Sequence, residues 1–342
     1  MSAAPATIAY VANADSHDIS VLRLDATTGV LTSIQQLAVG GTVMPLAASP
    51  DGRFLYASIR SEPFEVLSFA IDASSGALAP LGRSPLPASM CWISTDRSGR
   101  FLLGASYGGS SIAVSPIDAR GVAQPAQQTA TTAPNAHAVQ ADRANRFLFA
   151  SCLGGGVVLG YRFDAASGRF EASDPMAWQA RAGAGPRHFA FHPGAPFVYL
   201  LNELDAGVDV LAFDARQGVL SRVQTIDSRP PGFRGEPWAA DLRLTADGRF
   251  LFTSERRSST LAAFAVDAAT GRLALVGHVP TETQPRGFAI DPGGAWLLAA
   301  GQLSHRLGVY AIDPVTGRLA RHGEYGVGRN PNWVEIVALA RD

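Results

Sequence analysis

No lysine occurs anywhere in this 342-residue chain, so all 28 of its Lys/Arg positions are arginine. That excludes Schiff-base and lysine-base chemistry and leaves anions to guanidinium groups, which grip carboxylate or phosphate oxygens in bidentate fashion. Cysteine is almost as scarce. Cys91 and Cys152 are too few for a disulfide framework or a metal cluster, and no obvious activating base follows either one. Charged residues make up 17% of the chain and nearly cancel, for a net charge of −1. That balance argues against nucleic acid or an anionic membrane as a partner. Long apolar runs are missing as well; the longest, such as IVALA (336–340), are far too short to span a bilayer. The opening stretch MSAAPATIAYVANADS has neither a basic nor an apolar leader segment, so the expected compartment is the cytoplasm. No GxSxG elbow and no P-loop is present.

What the chain has in quantity is apolar surface, at 47% hydrophobic residues, and one pattern written repeatedly. LAASPDGRFLYASIR (46–60), ISTDRSGRFLLGASY (93–107), VQADRANRFLFASCL (139–153), AFHPGAPFVYLLNE (190–203), LRLTADGRFLFTSER (242–256) and AIDPGGAWLLAAGQ (289–302) each read as strand, turn, aromatic, strand. The aromatic anchors Phe54, Phe101, Phe147, Phe197, Phe250 and Trp296 are spaced by 47, 46, 50, 53 and 46 residues. Between copies lie a third strand, a turn of the ATTG or SSG kind, and a more polar fourth strand. Four strands in roughly 45 residues is the period of a β-propeller blade. The C-terminal NPNWVEIVALA resembles a first strand without its second, and the N-terminal ATIAYVAN a second strand without its first. Together they complete a seventh blade and remove the open sheet edges. The expectation is an all-β, seven-bladed propeller formed as one domain over residues 1–342, its ring closed by strands from both termini. Helical patterns for a TIM barrel are absent, and a β-helix needs shorter repeats.

Alignment on the anchor locates the chemistry, because first strands begin and second strands end on the same face of a propeller. Ten residues before the anchor stand Met44, Cys91, His137, Arg187, Ala240 and Arg286, with Asn332 at the equivalent place in the split blade. Six residues after it stand Arg60, Tyr107, Leu153, Glu203, Arg256 and Gln302. A repeat position ordinarily collects interchangeable apolar residues; these two collect four arginines, a histidine and a glutamate. They are expected to converge on one mouth of the channel as a site for an anionic ligand. His188 and Asp241, one position further along two first strands, are placed to orient that ring. Trp238 can floor the pocket, and His305, in the loop after Gln302, can reach the mouth. His17, His278 and His322 read as surface residues, and His192 as a turn residue on the opposite face. One histidine and one glutamate among four guanidiniums make a poor cation site, so no metal and no cofactor is expected.

At these residues the chain resembles the propeller-type 6-phosphogluconolactonases, which are related to fungal carboxymuconate-lactonising enzymes. The resemblance runs over essentially the whole chain. It is densest in GPRHFAFHP, the NEL of Asn202–Leu204, WAADLRLTADGRFLF, TETQPRGFAID and AAGQLSHRLGVY. Two stretches depart from the family pattern: Trp92 stands in SMCWISTD where the family often has histidine, and AHAVQADRAN replaces a CHSANxSPD-like segment. The resemblance implies a seven-bladed propeller that hydrolyses 6-phospho-D-glucono-1,5-lactone to 6-phosphogluconate in the pentose-phosphate route. It also implies catalytic roles for His137, Arg187, Arg286 and Glu203.

On that footing Glu203 is expected to position the attacking water, Arg187 and Arg286 to stabilise the oxyanion, and His137 to shuttle a proton. Arg60 and Arg256 are expected to hold the substrate's terminal anion, with Tyr107 and Gln302 reading hydroxyls. The expected partner is a small sugar lactone, with no nucleic acid and no membrane, and the protein a monomer or weak oligomer. Two alternatives stay open: a lactonase for another acidic or unphosphorylated sugar lactone, such as sulfogluconolactone, and a non-catalytic propeller that binds a metabolite or partner.

Overall fold

The computed structural model describes residues 6–174 and 178–339. Among them every regular element is a strand, and the strands form seven antiparallel sheets. Blades 1 to 6 run in chain order over residues 43–85, 92–131, 136–179, 186–227, 239–280 and 285–326. Blade 7 is the composite anticipated from the two ends. The C-terminal strand Pro331–Ala338 is innermost and pairs with Thr7–Asn13, with Val11 opposite Val334 and Tyr10 opposite Glu335. In blade 3 the outer strand is in two pieces, Arg169–Ala172 and Trp178–Gln179, where a single fourth strand was expected.

Burial follows from position within the blade. The second strands are covered by neighbouring blades on both faces, and Thr7–Asn13, Phe147–Cys152 and Trp296–Gly301 are buried throughout. They therefore read as continuous apolar runs. The outer strand Leu31–Ala38 has only one buried residue, Leu31, and its remaining residues are exposed or half-buried.

The two repeated motifs, aromatic anchor and glycine turn, turn out to be halves of one joint. Each anchor ring lies against the turn glycine of the next blade. Phe54 meets Gly121, Phe101 meets Gly168, Phe147 meets Gly218, and the series continues round to Trp296 on Gly29. Ile8 takes the part of the aromatic where blade 7 meets Gly76 of blade 1. At Gly218 (φ +74°) a Cβ would lie 2.6 Å from the Phe147 ring. A side chain there is excluded both by the left-handed backbone and by the neighbour.

On the face away from the rim, the residue five before each anchor caps the strand-to-strand turn. Ser49, Asp96, Asp142, Thr245 and Asp291 all accept the anchor's backbone N–H through a side-chain oxygen. His192 occupies this position in blade 4, where its Nδ1 accepts instead from the backbone of Gly194 and Ala195 at 3.0 and 2.8 Å.

At the other face the ladders between first and second strands are bulged where the rim residues sit. The register shifts at Val43/Leu46, Ala136/Ala138, Pro186/Phe189, Ala239/Leu242 and Pro285/Phe288. A bulge leaves backbone groups unpaired and re-aims the side chains it carries. It is how a regular strand ends in Arg187, His188 or Arg286 at the channel mouth.

Candidate active site

Glu203 is the centre of the mouth. Its Oε2 accepts from Arg187 Nε at 2.7 Å and from Arg256 Nη2 at 2.8 Å, and its Oε1 from Trp238 Nε1 at 3.2 Å. Burial alone would raise the carboxyl's pKa, but the charges and hydrogen bonds of Arg187 and Arg256 hold it below the ordinary glutamate value. It is a carboxylate at neutral pH.

Both of its arginines are sealed in. Arg187 is 1% exposed. Its Nη1 donates to the Ala240 carbonyl freed by the blade-5 bulge, and also meets His188 Nε2 at 2.9 Å. His188 Nδ1 lies 2.8 Å from Asp241 Oδ1, so Nδ1–H donates to the carboxylate and the Nε2 lone pair faces Arg187. Burial, followed by the Arg187 charge, pushes His188 down to about 3, and its imidazole stays neutral. Asp241, His188 and Arg187 thus form a chain that orients the guanidinium toward Glu203. Arg256 lies with Cζ 3.8 Å from the Trp238 ring centroid, and it donates to the carbonyls of Trp238 and Ala239 at 3.0 Å each.

These contacts revise the expected division among the arginines. Arg256 was grouped with Arg60 as a grip for a remote anion, yet Arg256 is committed to Glu203, to two carbonyls and to Trp238. Arg60 and Arg286 are the rim guanidiniums without a carboxylate partner among the described residues. Arg60 is half-buried and donates from Nε to Ser89 Oγ at 3.1 Å. Arg286 is half-buried and makes no hydrogen bond to the described residues. Burial and the charges of Arg187 and Arg60 push its guanidinium down to about 9. An anion placed between Arg60 and Arg286 would relieve that repulsion.

His137 is 4% exposed and sits beside the pair. Tyr107 stands edge-on to it at 5.7 Å between ring centroids, and His188 at 5.2 Å. Burial first, then the charges of Arg187, His188 and Arg286, hold the imidazole well below its ordinary value, so it is neutral.

Below this ring the channel is stopped by residues from blades that are not neighbours in the ring. Trp92 of blade 2, His188 of blade 4 and Trp333 of blade 7 meet with centroids 4.6 to 5.9 Å apart. Trp92 and Trp333 were not assigned a role from sequence, although both follow rim positions directly and the alignment contained that signal. Arg243, under the plug, pairs with Asp241 at 3.3 Å. Gln302 and His305 are drawn into a loop network rather than toward the arginines. Gln302 accepts from Gln284 and donates to Asn330 Oδ1 at 2.9 Å, while exposed His305 accepts the Asn330 N–H at Nδ1. His17 and His322 are exposed. His278, expected at the surface, is half-buried, with Nε2 3.1 Å from the Ser228 carbonyl. Among the described residues no group of three or more His, Cys, Asp or Glu side chains is arranged around a metal position.

A closed propeller stopped along its axis, with four guanidiniums and one carboxylate at the open end, defines a class: a β-propeller with an axial, arginine-lined mouth. The chain belongs to the lactonase family of seven-bladed β-propellers, whose model matches residues 6–336. It is accordingly a lactone-hydrolysing enzyme, a carboxylic-ester hydrolase. Its relatives include the 6-phosphogluconolactonase of Pectobacterium carotovorum, 43% identical over 332 residues that cover 97% of this chain and 99% of the relative. The 6-phosphogluconolactonase of Yersinia pestis is 41% identical over 96% of this chain and 97% of its own length. Among solved structures, the periplasmic gluconolactonase of Pseudomonas aeruginosa superposes with a TM-score of 0.90 at 30% identity, covering 98% of this chain and all of that one.

Proposed function

We propose that this lactonase acts on a phosphorylated sugar lactone, 6-phospho-D-glucono-1,5-lactone, and releases 6-phosphogluconate. The observation that carries the reading is the charge balance at the mouth: Arg60, Arg187, Arg256 and Arg286 against Glu203, with Arg60 and Arg286 lacking a carboxylate partner among the described residues. Such a site is short of negative charge, and a phosphoryl group supplies it.

The reaction needs an activated water, a stabilised oxyanion and a protonated leaving oxygen. Glu203, ionised and pinned by three donors, positions the water through its remaining lone pairs. It is too weak a base to keep a proton. His137 is neutral and takes the proton as the water oxygen bonds to C1. Arg286, with Arg187 behind it, faces the oxyanion. When the bond from C1 to the ring oxygen breaks, His137 returns the proton to that oxygen. The arginines that disfavour an imidazolium are offset at that moment by the oxyanion's charge. Arg60, held by Ser89, takes the phosphoryl group at the outer rim. A phosphorylated substrate goes with a cytoplasmic location.

A second reading, an unphosphorylated gluconolactone, is favoured by the likeness to the Pseudomonas aeruginosa gluconolactonase. Initial rates on 6-phosphogluconolactone and on glucono-1,5-lactone separate the two. The phosphorylated substrate should have the higher kcat/KM, and Arg60→Ala should erode that preference while sparing turnover of the plain lactone. Equal or better turnover of the plain lactone by the unmodified protein would overturn the phosphate reading.

A further inference from the structure

Cys91 immediately precedes the first strand of blade 2, Trp92–Thr95, at the rim position equivalent to His137 in blade 3, and the two side chains touch. Its Sγ lies 3.4 Å from the Ala105 carbonyl oxygen, 3.4 Å from that of Ala136, 3.5 Å from that of His137, and 3.9 Å from His137 Nδ1. Three of these four neighbours can only accept a hydrogen bond. A thiol has one hydrogen to give, and two of the carbonyl oxygens stand nearer to Sγ, at 3.4 Å, than Nδ1 does at 3.9 Å. The S–H therefore goes to a carbonyl, and sulfur lone pairs are left beside Nδ1. Burial pushes the thiol's pKa up, so it keeps that hydrogen.

A neutral imidazole carries its proton on one nitrogen only, and the partner of one nitrogen decides the role of the other. His137 Nε2 has no protein partner among the described residues, and it is not among the polar atoms sealed from solvent. We propose that Cys91 is a positioning residue for the hydrolytic reaction: as acceptor for Nδ1–H it holds His137 in the tautomer whose Nε2 lone pair faces the mouth. Nε2 then takes the proton of the attacking water. With the opposite tautomer, Nε2–H would be a donor and the site would have no neutral base. The inference rests on the lactonase mechanism proposed above, but the tautomer is measurable without any substrate.

The test is 15N NMR of the protein labelled at histidine, with the His137 signals assigned by their loss in His137→Gln. In the unmodified protein Nδ1 should carry the proton and Nε2 should not. Cys91→Ala removes the acceptor. It should transfer population to the Nε2–H tautomer and lower kcat about tenfold with KM little changed. Cys91→Ser keeps a side chain that donates to a carbonyl and accepts from Nδ1, so it should retain the tautomer and restore kcat to within about threefold. A purely structural role would move stability in both variants without moving the tautomer. A proton on Nε2 in the unmodified protein, or the same tautomer in Cys91→Ala, would overturn the proposal, and the first of these needs no Cys91 variant to fold. Turnover of lactones decides the mechanism it rests on, and the nitrogen shifts decide Cys91.

Discussion

At the scale of single residues, the site divides its arginines by what they already hold. Arg187 and Arg256 are occupied by Glu203, whereas Arg286 has no carboxylate partner among the described residues and a pKa lowered to about 9. Below that pH it is charged and attracts an anion; as pH rises through about 9 the charge and the attraction are lost. Binding of 6-phosphogluconate, the stable product of the proposed reaction, followed calorimetrically, should be level near neutral pH and weaken above pH 9. Arg286→Met should abolish that limb and lower kcat by about 10²–10³, the usual cost of an oxyanion donor. A limb that persists in Arg286→Met would assign it to another group. Glu203→Gln makes a different prediction, because it leaves two buried guanidiniums uncompensated. Breaking such a cluster from one side costs about 3 kcal/mol, readable by denaturant unfolding at pH 7. Glu203 has a depressed folded pKa, so its contribution is present above the ordinary glutamate value of 4.5 and disappears as pH falls through the lowered one. The deficit of the variant should shrink in acid; a deficit independent of pH would mean that packing, not charge, is lost.

At the scale of elements, the blade is a hairpin pair whose turns are capped by a side-chain acceptor. In blade 4 that acceptor is the only imidazole among the six equivalent positions. Burial lowers the folded pKa of His192, and protonation would remove the lone pair that holds Gly194 and Ala195. Its stabilisation is therefore present above the ordinary histidine value of 6.5 and is lost as pH falls through the lowered folded value. His192→Ala should cost about 1–2 kcal/mol at pH 7.5 and less at pH 5. His192→Asp, the choice made in blades 2, 3 and 6, should fold normally and remove the acid sensitivity. Thermal melts of the three proteins across that range give the comparison, and parallel curves would show that the turn does not titrate.

At the scale of the whole molecule, the ring is closed by a single strand pairing, seven residues of Thr7–Asn13 against Pro331–Ala338. The same C-terminal strand carries Asn332 and the plug residue Trp333. Deleting residues 331–342 would open blade 7, expose the edge of its second strand, and remove one wall of the plug. Each blade buries its surface only against its neighbours, so the expected result is loss of the cooperative melt, not a slightly less stable six-bladed protein. A truncated chain that unfolds in one sharp transition at a nearly unchanged temperature would show that closure is not what holds the ring.

The architecture was legible because it is periodic. A hairpin written six times, with complementary fragments at the two ends, specifies blade number and closure from residue spacing alone. Anchor alignment likewise placed His137, Arg187, Glu203 and Arg286 at one mouth, since equal register puts equivalent residues at equal height. Spacing could not say which arginine pairs with which acid, because such pairing depends on bulges and on contacts between blades far apart in the chain. Arg256 was drawn inward by the Trp238 ring and by the carbonyls of Trp238 and Ala239. Arg286 was left without a carboxylate because Gln302 stands in blade 6 where blade 4 carries Glu203. The axial plug is a sharper case: Trp92, His188 and Trp333 meet only because a closed ring brings seven first strands to one axis. Strand, turn and repeat are local properties carried by neighbouring residues. The chemistry of the mouth is set by distances between residues that only ring closure makes short.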